Sequence, residues 1–94
     1  MSERDSAMAG LEQRFIARCA DDLPFLEANL AGTIKDENGV QLVAHKMAGS
    51  AGLFGHAALG ELATQLDDEL AAKSLGPSTT LSQLVAALRT LLGR

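Results

Sequence analysis

The last stretch of the chain constrains the fold most. Leu81, Leu84, Val85, Leu88, Leu91 and Leu92 recur three or four residues apart, the period of one face of an α-helix and not the alternation of a half-buried strand. The same period recurs upstream. Leu11, Phe15, Cys19, Leu23, Leu26 and Leu30 predict a first helix over about residues 8–31, and Leu59, Leu62, Leu66 and Leu70 a third. Each stripe needs a neighbour to cover it. Four amphipathic helices with short connections predict an all-α, up-down-up-down four-helix bundle, with residues 1–94 as one domain.

The breaks are marked by residue type. Pro24 lies inside the first pattern and cannot donate to the carbonyl of Ala20, so a kink or a split is expected near Asp21 and Asp22. Thr33 and Asp36 compete as the cap of the second helix, which should end near Phe54 with Gly55 in the left-handed conformation. Gly76 and Pro77 break the chain again, and Ser78 can cap the last helix.

Composition removes several function classes. A net charge of −4 without a basic patch, and with three Phe as the sole aromatics, disfavours binding to nucleic acid. One cysteine, Cys19, allows no intrachain disulfide and reads as a small buried side chain. No stretch approaches the ~20 apolar residues of a membrane span, and Met-Ser-Glu-Arg-Asp is not followed by an apolar leader segment. A cytoplasmic monomer is expected.

The second helix carries the feature that points to chemistry. With His45 at zero and about 100° per residue, Val40, Val43, Met47, Ala51 and Phe54 fall between about 160° and 240°. His45 therefore faces away from the core. Gln41, Ala48, Gly49, Gly52 and Gly55 lie within about 80° of it, with Leu42 and Leu53 at about 60° and 80°. Interior helix glycines cost about 0.5–1 kcal/mol each relative to alanine, and an exposed stripe of them suits close approach by an outside partner. A neutral imidazole is nucleophilic near pH 7 and forms a transferable phosphoramidate. No nucleotide-binding loop accompanies it, so such a chain would be a phosphocarrier rather than a self-sufficient enzyme.

The segment Ala44-His45-Lys46-Met47-Ala48-Gly49-Ser50-Ala51-Gly52-Leu53-Phe54-Gly55 resembles the signature of histidine-containing phosphotransfer (HPt) domains. Arg14-Phe15 through Asp22-Leu23-Pro24 before it, and Leu59-Gly60-Glu61-Leu62 after it, are also similar. The resemblance implies a four-helix bundle in a two-component phosphorelay. It makes His45 the phosphorylated residue and implies partners among response-regulator receiver domains and the receiver domains of hybrid histidine kinases. It also implies that Gly49 leaves room for the phosphoryl group, and that Mg²⁺ belongs to the partner receiver, with no cofactor on this chain. Gln41, Leu42, Lys46, Ala48, Gly49, Gly52 and Leu53 are the expected partner-binding residues.

One position departs from the family pattern. Ala48 stands where the family usually has lysine, and Lys46, about 100° round the helix from His45, cannot replace it directly. This opens the alternative of a receiver- or kinase-binding module without transfer activity. No metal site is expected: His56 is eleven residues from His45, beyond a helix break, and reads as a helix-start or surface residue. Asp67, Asp68 and Glu69 read as a solvated face, and Ser50 as a residue bordering the core.

Overall fold

The computed structural model describes residues 3–73 and 77–94. Among them are four helices and no strand: α1 (Glu3–Ala31), α2 (Glu37–Leu53), α3 (Ala57–Ala71) and α4 (Pro77–Leu92). Each helix packs on its neighbours in the chain and α4 closes back on α1, while the diagonal pairs stand further apart. This is the expected up-down-up-down bundle.

The predicted stripes meet in one core. Phe15, Cys19, Leu23 and Leu26 of α1 join Val40, Ala44, Met47 and Ala51 of α2, Leu59, Ala63 and Leu66 of α3, and Leu81, Leu84, Val85 and Leu88 of α4. Val43 and Phe54, assigned to the core face by the wheel, are only half-buried, while Ala44 is fully enclosed. The buried arc of α2 is thus rotated toward α3, with which it makes its most extensive contact. Small residues permit the approach. A β-carbon on Gly60 would stand 3.5 Å from that of Ala51 and 3.6 Å from the backbone nitrogen of Gly52, so nothing larger than alanine fits there without displacing α2.

Helix α1 ends at Ala31, as expected, but starts earlier than its apolar period predicts. It begins at Glu3 and runs 29 residues, against 15 to 17 for the others, so its ends project past the shorter helices. Leu11 and Leu30, assigned to its core stripe, are consequently exposed, as is Met8. It also passes through Pro24 without splitting. Leu23 and Leu26 on either side are buried, and their packing holds the helix together across the lost hydrogen bond.

The connections resolve the competing caps. Thr33 closes α1, its hydroxyl and its N–H both donating to the carbonyl of Ala28. Asp36 opens α2, its carboxylate accepting from Gly39 N–H at 2.9 Å while its own N–H donates to Asn29 Oδ1 at 2.8 Å. Gly55 takes φ 81° after Phe54, as expected. Pro77 is the first residue of α4, a position where its missing N–H costs nothing, and Ser78 follows it within the helix, its side chain outside the described part of the structure. Gly76 falls outside the described residues.

Candidate functional site

His45 sits at mid-height on α2, facing outward beside α3. Its side chain is 74% exposed, and its Nδ1 lies 2.9 Å from Oδ2 of Asp67 on α3. The other carboxylate oxygen, Oδ1, accepts from Gln41 Nε2 at 3.2 Å. These hydrogen bonds, His45 first, hold the Asp67 carboxyl below its ordinary value of 3.8 against the opposing effect of desolvation. An ionised carboxylate only accepts hydrogen bonds. The shared proton therefore belongs to Nδ1 of His45, and in the neutral form of the ring Nε2 is the nitrogen that carries the lone pair. Among the described residues Nε2 has no protein partner. His45, Asp67 and Gln41 line a shallow recess of about 290 Å³ with Asn38 and Leu42.

The flank of this recess is open. A β-carbon built on Gly49 or Gly52 would meet nothing within 4 Å, so neither glycine is required by packing inside the chain. Leu42 and Leu53 are among the most exposed apolar residues, at 54% and 64%, and lie on the same side of α2. The structure thus brings His45, Gln41 and Leu42 into one recess, with Gly49 beside them and Gly52 and Leu53 toward the end of the helix.

Two of the expected partner-binding residues lie elsewhere. Ala48 is half-buried in the seam with α3, packed against the core, because α2 rolls toward that helix. It lines a groove of about 580 Å³ with Gly52, Gly60, Thr64 and the acidic Glu61, Asp68 and Glu69. Lys46 points to the other flank, where Arg18, Asp21, Asp22 and Ser50 border a groove of about 660 Å³ between α1 and α2. Burial there raises the Asp22 carboxyl above its ordinary range; Arg18 opposes this, Asp21 adds to it, and Lys46 opposes it more weakly.

The acidic run on α3 is not one solvated face. Three consecutive helix positions span about 200° of rotation, and the run divides accordingly. Asp67 turns to His45 on α2, Asp68 is exposed, and Glu69 accepts from the buried Thr80 hydroxyl of α4 at 2.7 Å. Asp67 is the site residue that the helical wheel of α2 could not reveal, because its partnership depends on how two helices are set side by side.

His56 starts α3, as expected, with its ring stacked on Phe15 at 5.7 Å between centroids and 22° between planes. Its Nε2 lies 3.6 Å from the Glu12 carboxylate. It lies beyond the C-terminal end of α2, about two helical turns and a connection away from His45. Among the described residues no group of three His, Cys, Asp or Glu could hold a metal ion, and no helix is long and apolar enough to cross a membrane.

Neither a curated protein nor a solved structure matches the chain. A family model described as Hpt domain matches residues 10–94, which covers all of the described bundle except the projecting first turns of α1. Members of that family are phosphocarrier modules that work with the receiver domains of two-component systems. The helix count, the packing order and the matched span agree: this chain belongs to the Hpt domain family.

Proposed function

We propose that His45 accepts a phosphoryl group on Nε2 from the aspartyl phosphate of one receiver domain and passes it to another, within a two-component phosphorelay. The observation that carries this reading is the His45–Asp67 contact: it commits Nδ1 to the protein and turns an unpartnered Nε2 to solvent. Phosphoryl transfer depends mainly on in-line alignment and on neutralising charge. Gly49 and Gly52 leave a receiver free to approach the ring closely, and Leu42 and Leu53 offer it apolar contact. The receiver brings the Mg²⁺. The chain acts as a cytoplasmic monomer, and hybrid histidine kinases supply one class of donor receiver.

Incubation with a phosphorylated cognate receiver labels the wild-type protein and leaves His45→Gln unlabelled. Persistent labelling of that variant overturns the assignment. A second reading, a docking module that transfers nothing, draws on Ala48, which stands where the family usually has lysine. It requires that receiver binding survive His45→Ala with signalling intact, and a signalling defect on that change excludes it.

A further inference from the structure

We propose that Asp67 keeps the His45 ring protonated at Nδ1 after the phosphoryl group has been accepted, so that the phosphorylated carrier is a short-lived imidazolium set for onward transfer. This rests on His45 being the acceptor, and it adds a role for a residue on a different helix.

The proton balance leads to it. In the accepting step the Nε2 lone pair forms the N–P bond while the P–O bond of the donor acyl phosphate breaks, its electron pair leaving with the donor carboxylate. No proton moves, and the ring becomes a cation still carrying hydrogen on Nδ1. In the onward step the N–P bond breaks and its electrons return to Nε2. The ring then leaves as neutral imidazole only if Nδ1 has kept its proton. Without that proton it would have to leave as an anion, a much poorer leaving group. Asp67 Oδ2, 2.9 Å from Nδ1, favours the protonated ring. Gln41 holds the other oxygen, which fixes the carboxylate in place.

The remaining charges do not oppose this. The recess around the ring is lined by Asn38, Gln41, Leu42, His45 and Asp67, with no cation among them. On α2, Lys46 turns to the α1 groove with Arg18, Asp21 and Asp22. On α3, Asp68 borders the neighbouring groove, and α4 lies diagonally across the bundle from α2. Ala48 places no positive charge beside the phosphoryl group to prolong its stay. Asp67 acts here as a positioning residue, since it touches the ring and not the phosphorus.

The test uses full-length wild type and Asp67→Asn, labelled with phosphoramidate, a small donor that needs no receiver, with the label located by mass spectrometry. Its lifetime is followed from about pH 5 to about pH 10. In Asp67→Asn the onset of stability should move about one pH unit lower, giving a roughly tenfold longer lifetime on the alkaline limb. Superimposable profiles overturn the role of Asp67 while leaving His45 as acceptor. Nitrogen NMR of the unmodified ring is a second measure: an Nδ1–H tautomer is expected in wild type, its dominance reduced in Asp67→Asn. A dominant Nε2–H tautomer in wild type overturns the proposal without any labelling. Label found only away from His45 overturns the acceptor reading itself, and this inference falls with it.

Discussion

Asp36 and Gly39 fit together at the start of α2 so closely that neither tolerates change in the other. The Asp36 carboxylate accepts from Gly39 N–H at 2.9 Å and occupies the space where a β-carbon on residue 39 would lie. The Phe25 ring stands 2.8 Å from the same point. Gly39→Ala should therefore destabilise the domain by about 1–2 kcal/mol, although alanine is the better helix former by about 1 kcal/mol. Asp36→Ala should cost about 1 kcal/mol through loss of the cap. Urea unfolding of both single variants and the double variant checks this. The double variant should lose less than the sum, because the two residues share one interaction.

The exposed glycines of α2 should behave in the opposite way. With open space at both positions, Gly49→Ala and Gly52→Ala should each raise stability by about 0.5–1 kcal/mol. Both should slow phosphoryl transfer from a receiver, Gly49→Ala more strongly because it lies one turn from His45. Thermal unfolding and transfer kinetics on the same samples separate the two effects. Transfer that is as fast in the double variant as in wild type would show that the partner does not use this space.

Cys19 supplies a pH test of the core. Burial, with the Asp22 charge acting in the same direction and Arg18 against it, pushes its thiol up from 9.0 to about 11. The folded state thus favours the neutral thiol. Its contribution to stability is complete below the ordinary value of 9.0 and is lost as pH rises through about 11. Wild type should lose more stability over that interval than Cys19→Ala, measured by urea midpoints. At about pH 8 iodoacetamide should leave the native thiol unmodified and react once the chain unfolds.

Much of this architecture could be read from residue spacing, because a helix writes its period locally. The burial of Phe15, Cys19, Leu23 and Leu26 is legible on that ground, and so is the outward direction of His45. Leu11 and Leu30 share the same period yet are exposed, since burial at a helix end depends on the length of the neighbouring helices. The burial of Ala44 is not legible in the sequence, because a small side chain carries little hydrophobic signal, although small size is what lets α2 and α3 approach. Asp67 was harder still. Its run of three acids has the composition of a solvated surface, and only its rotation on α3 and its height against α2 distinguish it from Asp68.

That height has a consequence for how the chain can vary. From His45 the backbone descends α2 to the turn at Phe54, Gly55 and His56, then climbs α3 by nearly the same length to Asp67. The hairpin works as a pair of calipers, and equal arms bring the tips level. A residue added to one arm would swing its tip about 100° and lift it about 1.5 Å, parting imidazole from carboxylate unless the other arm lengthened too. The connections between α1 and α2 and between α3 and α4 lie outside the calipers. Length changes are therefore expected to accumulate in those two connections and to be excluded between residues 45 and 67.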